Sequence, residues 1–129
     1  MGSYWLTTQE YTQSLGESAM QQALLGATSS DTVRTRIYTG KPARLLKTKW
    51  TDAWAEEGAP TPLPMPLQNL LVAEAHDRIH QANDPAVVSM PVGQIVGRLE
   101  SIRPVADLMA SLVAETSAVL ARLRDMPLT

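Results

Sequence analysis

At 129 residues, 44% of them hydrophobic, the chain can bury one modest core but falls short of the roughly 200 or more residues of a complete barrel enzyme. A net charge of −2 speaks against general nucleic-acid binding, which relies on a basic surplus. With no cysteine there is no disulfide framework, thiolate nucleophile or cysteine metal site, which suits a reducing compartment such as the cytoplasm.

Met1 to Glu10 lacks the basic segment and apolar core of a signal peptide. No apolar run approaches the roughly twenty residues that span a bilayer, so a soluble protein without a membrane partner is expected. Gly2 to Thr8 reads as an extended segment, rich in aromatic and β-branched residues. After Gly16, Met20, Ala23, Leu24 and Ala27 recur at helical spacing, which predicts a short helix over 18–27 with Gly26 near its end. Val33 and Ile37 alternate with Thr and Arg between Asp31 and Tyr38, as in a strand or extended connector closed by Thr39-Gly40.

Pro42 suits the first position of a helix over 43–57, with Leu46, Trp50, Ala53 and Trp54 on one face and Gly58 as its stop. Four prolines between Ala59 and Pro66 then fix a stiff connector. Leu67, Leu70, Leu71, Ala75 and Ile79 predict a further helix as far as Gln81, broken at Asn83-Asp84-Pro85. A short helix starting within Val92–Gly97 and stopping near Ile102 precedes the longest one. That helix opens at Pro104, and its apolar stripe comprises Val105, Leu108, Met109, Leu112, Val113, Leu120 and Leu123. Arg122 and Arg124 suit its C-terminal end.

Charge is unevenly spread along this order. Arg34, Arg36, Lys41, Arg44, Lys47 and Lys49 occupy a stretch with no acid between Asp31 and Asp52. Such a run is either a solvated face on a turn and helix, or an anion site for a cofactor or substrate phosphate. His76 and His80 stand four apart on a predicted helix. That spacing suits a metal pair, but without a convergent carboxylate or cysteine it reads as a solvated face. Trp50 and Trp54 share a helical face, either as packed core or as a platform for a ring.

The blocks G-S-Y-W-L-T-T-Q-E at Gly2–Glu10, S-D-T-V-R-T-R-I-Y-T-G-K-P-A-R at Ser30–Arg44, and V-G-Q-I-V-G at Val92–Gly97 resemble, in order and spacing, three signatures of the nitronate monooxygenase (2-nitropropane dioxygenase) family. The first resembles the end of the family's eighth barrel strand, with Ser3 for the usual threonine and Trp5 for the usual phenylalanine. The resemblance implies a TIM barrel that holds FMN, a helical domain beside the barrel mouth and a final helix returning to the barrel. By itself the chain should be mainly α. As part of that fold it would be a C-terminal fragment of an α/β TIM barrel, contributing the last strand and the appended helical domain. Residues 1–30 would carry the last strand and following helix, 31–103 the substrate-side domain, and 104–129 the returning helix.

The resemblance also implies an activity: oxidation of alkyl nitronates by oxygen to a carbonyl compound and nitrite, with a nitronate or nitroalkane as substrate. It places Gly2, Ser3, Tyr4 and Trp5 at the FMN phosphate, where glycine permits close backbone approach. Gln94 stands on the substrate side, or else caps and orients a helix. The family's catalytic histidine and glycine-rich seventh-strand loop lie upstream of the block at Gly2. No residue here is therefore assigned a catalytic role, Met1 reads as an internal methionine, and the chain alone should be inactive. One alternative is part of an NAD(P)H-dependent flavin reductase of the enoyl-thioester type. Another is a non-catalytic helical interaction module, and exposed apolar faces would favour self-association of the isolated chain.

Overall fold

The computed structural model describes residues 2–15 and 18–126; Met1 and Gly16, used above as markers, lie outside them. The described elements are α1 (Gly2–Trp5), α2 (Gln9–Leu15), α3 (Ala19–Leu25), β1 (Thr32–Thr35), β2 (Ala43–Leu46), α4 (Lys49–Ala53), α5 (Leu67–Ala82), two 3₁₀ turns (Pro85–Val87 and Gln94–Arg98) and α6 (Val105–Arg124). The chain is mainly helical, as expected, with one small antiparallel sheet.

The extended reading of Gly2–Thr8 is corrected: Gly2–Trp5 is a turn of helix. Among the described residues this run has no ladder partner, and local bonds replace the ladder. The Leu6 and Thr7 amides donate to the Ser3 and Tyr4 carbonyls at 3.3 and 3.2 Å. The Thr7 and Thr8 hydroxyls donate to the Tyr4 and Trp5 carbonyls at 3.1 and 2.9 Å. Extended pairing survives as a single bridge between Thr8 and Arg103. Threonine's local side-chain bonding has overridden its β-propensity here.

The next helix, α2, escaped the periodicity. It is tied to α3 by Gln21, which is buried and fully bonded: its amide donates to the Leu6 and Thr8 carbonyls at 2.9 and 3.3 Å, while its oxygen accepts from the Thr12 hydroxyl at 2.8 Å. The start of α3 follows expectation. Ser18 caps it by accepting from the Gln21 amide at 3.2 Å, and Gly26 closes it. The Asn83 side chain also accepts from the Ala19 amide at 2.8 Å, so the far end of α5 is held against the start of α3.

The helix expected over 43–57 is the second correction. Its first part is β2, paired with β1 in the register Thr32↔Leu46, Val33↔Leu45, Arg34↔Arg44 and Thr35↔Ala43. The opposite edge of β2 is also engaged: the Leu46 amide donates to the Met90 carbonyl, and the Val92 amide to the Arg44 carbonyl, at 3.1 and 3.0 Å. Hydrogen bonding on both edges, with Leu45 and Leu46 buried, outweighs the helical propensity of Ala-Arg-Leu-Leu. A five-residue helix remains, α4. At its start Thr51 Oγ1 accepts from the Thr48 amide, and the Thr48 hydroxyl donates to the Val88 carbonyl, both at 2.9 Å.

The proline connector is extended, as its composition requires, and is fastened to the hairpin. Gln68, fully buried, accepts from the Leu63 amide and donates to the Ile37 carbonyl, each at 2.9 Å. Gly40 lies beneath it at φ 88°, where a Cβ would stand 2.5 Å from the Leu63 carbonyl oxygen.

The boundaries of α5 and α6 match their periodicity, but their apolar stripes do not face this core. In α5 the covered face carries Gln68, Val72, His76 and Ile79, while Leu67, Leu70 and Leu71 are exposed. In α6 Leu108 is buried, whereas Met109, Val113, Leu120 and Leu123 are exposed. The core itself joins α3, β2, the loops through Val88 and Val92, and the second 3₁₀ turn: Ala19, Met20, Leu24, Leu46, Val88, Val92, Val96 and Leu99. Complete burial of a side chain such as Leu24 contributes about 1.5–3 kcal/mol.

Candidate functional site

The three sequence blocks meet around the loop at Val92–Gly93 and the 3₁₀ turn that follows. The Gly93 amide lies 3.5 Å from the Ser3 hydroxyl oxygen, which accepts from it. The neighbouring Val92 amide donates to the Arg44 carbonyl at 3.0 Å. From the third side, the Ser29 hydroxyl donates to the Gln94 carbonyl at 2.9 Å. Gly97 permits this approach, for a Cβ there would stand 2.6 Å from Ser29 Oγ and 2.8 Å from the Ser29 amide nitrogen.

Among the four expected cofactor residues, Ser3 is buried, Tyr4 is half-buried against the core, and Gly2 and Trp5 are exposed. A Cβ built on Gly2 meets nothing within 4 Å, so open space adjoins the start of the turn. The opening amides of a helix have no acceptor within it, and Gly2, Ser3 and Tyr4 open α1. Gln94 is exposed, and Gly93 rather than Gln94 occupies the cap of the 3₁₀ turn. The Gln94 main chain, not its side chain, makes the tether to Ser29.

The histidines part company. His76 is not the solvated residue its helix position suggested. Its ring lies 4.9 Å from Tyr38 and 5.9 Å from Trp50, centroid to centroid, and its Nε2 is 3.1 Å from the Ser89 hydroxyl. Burial holds its pKa below the ordinary 6.5, the His80 charge pushes the same way, and Asp77 partly opposes. His80 is exposed and lines a cleft of about 300 Å³ with Tyr11, Met20, Ile79 and Ser89. Among the described residues no group of three or more His, Cys, Asp or Glu is placed to hold a metal ion.

Trp50 and Trp54 pack edge to face at 6.0 Å, as core residues do, and both are half-buried. The Trp50 indole N–H is buried without a hydrogen-bond partner among the described residues. Sequence reasoning missed the pairing of His76 with Tyr38 and Ser89. Their separation along the chain offers no periodic signal, and only the hairpin and the loop after α5 bring them together.

The cationic stretch proves to be a hairpin and the start of α4. Arg34, Arg36, Lys41, Lys47 and Lys49 are exposed and Arg44 is half-buried, its Nη1 donating to Thr32 Oγ1 at 3.0 Å. No helix among the described residues is long and apolar enough to cross a membrane.

The described residues form a small helical assembly with one two-stranded sheet. Two structures of FabK from Thermotoga maritima, one a point variant, superpose on 93% of this chain with a TM-score of 0.63, at 22% and 23% sequence identity, and the match covers 33% and 37% of those chains. The fold is thus that of about a third of such a TIM-barrel protein. Residues 1–115 match the nitronate monooxygenase family model. A predicted monooxygenase of Mycobacterium tuberculosis is 40% identical over 97% of this chain. A probable nitronate monooxygenase of Staphylococcus aureus is 23% identical over 93%. The chain belongs to the nitronate monooxygenase family, and it spans about a third of the length of these relatives, 34% and 32%.

Proposed function

We propose that this chain is the C-terminal third of an FMN-dependent nitronate monooxygenase, contributing half of the FMN phosphate site and part of the substrate-cavity wall. Residues 1–30 would lie on the cofactor side, 31–103 on the substrate side, and 104–129 would return to the barrel. Family membership carries the reaction class. The observation that supports the site is that the third family-like block touches both of the others, through Gly93 to Ser3 of α1 and through Val92 to Arg44.

The residues fit a phosphate in part. Barrel enzymes often bind phosphate in the loops after strands seven and eight and at the N-terminus of a short extra helix, so the helical form of Gly2–Trp5 suits this role as well as a strand end would. Gly2 leaves open space for an anion, and the opening amides of the turn, those of Gly2, Ser3 and Tyr4, are the donors it would meet. Ser3 Oγ accepts from the Gly93 amide, which leaves its hydroxyl proton free to donate. When bound, FMN supplies the electron chemistry. The chain's own part is to bind the phosphate, position the 3₁₀ turn bearing Gln94, and wall the cavity. No residue of this chain is assigned the proton transfer.

A protein of the relatives' full length bearing this segment should contain FMN and oxidise an alkyl nitronate under oxygen, releasing nitrite. Flavin reduction by NADPH without oxygen, together with no nitronate turnover, would instead assign it to the NAD(P)H-dependent reductases.

A further inference from the structure

The hairpin contains a pairing that the fold does not account for. Arg34 and Arg44 are direct cross-strand partners. Like charges placed opposite one another in an antiparallel pair are destabilising. The ion pairs among the described residues, Glu74–Arg78 and Arg124–Asp125, involve neither arginine. Asp31, the acid adjoining the hairpin, directs its carboxylate to the Thr28 amide and hydroxyl at 2.8 and 2.7 Å. Arg44 uses one guanidinium nitrogen on Thr32 and keeps its other donors. Two more exposed cations, Arg36 and Lys41, lie just beyond the strands.

We propose that the Arg34–Arg44 pair is a docking site for the diphosphate of a nucleotide-bearing small molecule, such as a pyridine nucleotide or a coenzyme A thioester. Guanidinium groups match phosphate oxygens in a fixed two-pronged geometry, which lysine lacks. Cross-strand partners have Cβ atoms about 4.5–5.5 Å apart, a separation at which two arginines can share adjacent phosphates. A nucleic-acid strand fits poorly, because the cationic strip ends at Asp52, Glu56 and Glu57 and the whole chain is acidic. The strip also lies close to the proposed flavin turn: the Arg44 carbonyl accepts from Val92, and the next amide, Gly93, donates to Ser3. The pair itself does not depend on flavin, so its occupancy is read without it.

Equilibrium dialysis of the 129-residue chain against labelled inorganic pyrophosphate at low salt provides the test, with NADPH and coenzyme A as competitors. The site predicts saturable binding that weakens with salt, displacement by at least one of the two nucleotides at lower concentration than unlabelled pyrophosphate, and binding about tenfold weaker in Arg34→Gln, the loss of one charge-assisted hydrogen bond. Arg34→Lys should recover only part of it. Arg34 is exposed, so this variant keeps the fold, and circular dichroism verifies that. The comparison therefore stands even if Arg44→Gln disrupts the hairpin. Absence of saturable binding at millimolar pyrophosphate, an unchanged Arg34→Gln variant, or stronger competition by a single-stranded oligonucleotide than by either nucleotide would overturn the proposal. The more effective competitor identifies the source of the diphosphate.

Discussion

Substitution of Gly97 by alanine probes the junction on which the site depends. The added methyl would stand 2.6 Å from Ser29 Oγ and 2.8 Å from the Ser29 main-chain nitrogen. A hydroxyl can rotate away, but a backbone nitrogen cannot, so the segment at Ser29 or the 3₁₀ turn must move. Overpacking of this kind costs about 1–3 kcal/mol. If the movement also breaks the Ser29–Gln94 bond, about 1 kcal/mol more is lost. Urea unfolding, followed by the tryptophan fluorescence of the chain, should therefore give Gly97→Ala a stability lower by about 2–4 kcal/mol, at unchanged slope. Adding Ser29→Gly to Gly97→Ala relieves the hydroxyl contact but also gives up the Ser29–Gln94 bond and leaves the backbone contact, so it should restore at most part of the loss. Gly2→Ala, where a Cβ meets nothing within 4 Å, should stay within about 0.5 kcal/mol of the parent. Equal stability of Gly97→Ala and Gly2→Ala would refute the close approach of Gly97 to Ser29.

Gln68→Ala should lower stability by about 2–4 kcal/mol in the same assay, since it strands the buried Leu63 amide and Ile37 carbonyl; a cost below 1 kcal/mol would mean that water replaces the clasp. The folded pKa of His76 lies below its unfolded value, so the unfolded chain takes up a proton first and stability is lost as pH falls through about 6.5. Urea midpoints measured from about pH 7.5 down to 5 should decline, and His76→Phe, which keeps an aromatic ring but cannot titrate, should flatten that decline. The exposed stripe of α6 predicts self-association of the isolated chain that Leu120→Glu reduces without a stability cost, as sedimentation equilibrium would show; a monomer at every concentration contradicts this.

Where local chemistry decides, the sequence was legible. Ser18 and Gly26 bracket α3, Asn83 ends α5 in the left-handed region, and Pro104 opens α6, so three helices were read with nearly correct bounds. Where tertiary partners decide, it was not. Ala43–Leu46 has helical residues but is held on both edges by β1 and the loop at Met90–Val92, and no local pattern announces two neighbours so far apart. Conversely, Gly2–Trp5 looks like a strand and becomes a turn because Thr7 and Thr8 bond back to it.

The apolar stripes of α5 and α6 are legible as stripes, and the described chain leaves Leu70, Leu71, Val113 and Leu120 largely uncovered, in keeping with the exposed apolar faces expected of the isolated chain. The candidate site was partly legible. Family-like motifs selected Gly2–Glu10 and Val92–Gly97 as blocks, but that Ser3 bonds Gly93, and that Arg34 faces Arg44, required the folded chain.

The flavin content of a protein of the relatives' full length bearing this segment, compared with its Gly2→Glu variant, tests the central claim most directly. A carboxylate at the start of α1 repels a phosphate held by the amides of that turn, and the open space at Gly2 lets the fold tolerate it. The parent should purify with stoichiometric FMN, and the variant, equally folded by circular dichroism, should bind it at least tenfold more weakly. A parent without FMN, or a folded variant that retains FMN with the parent's affinity, would contradict the account.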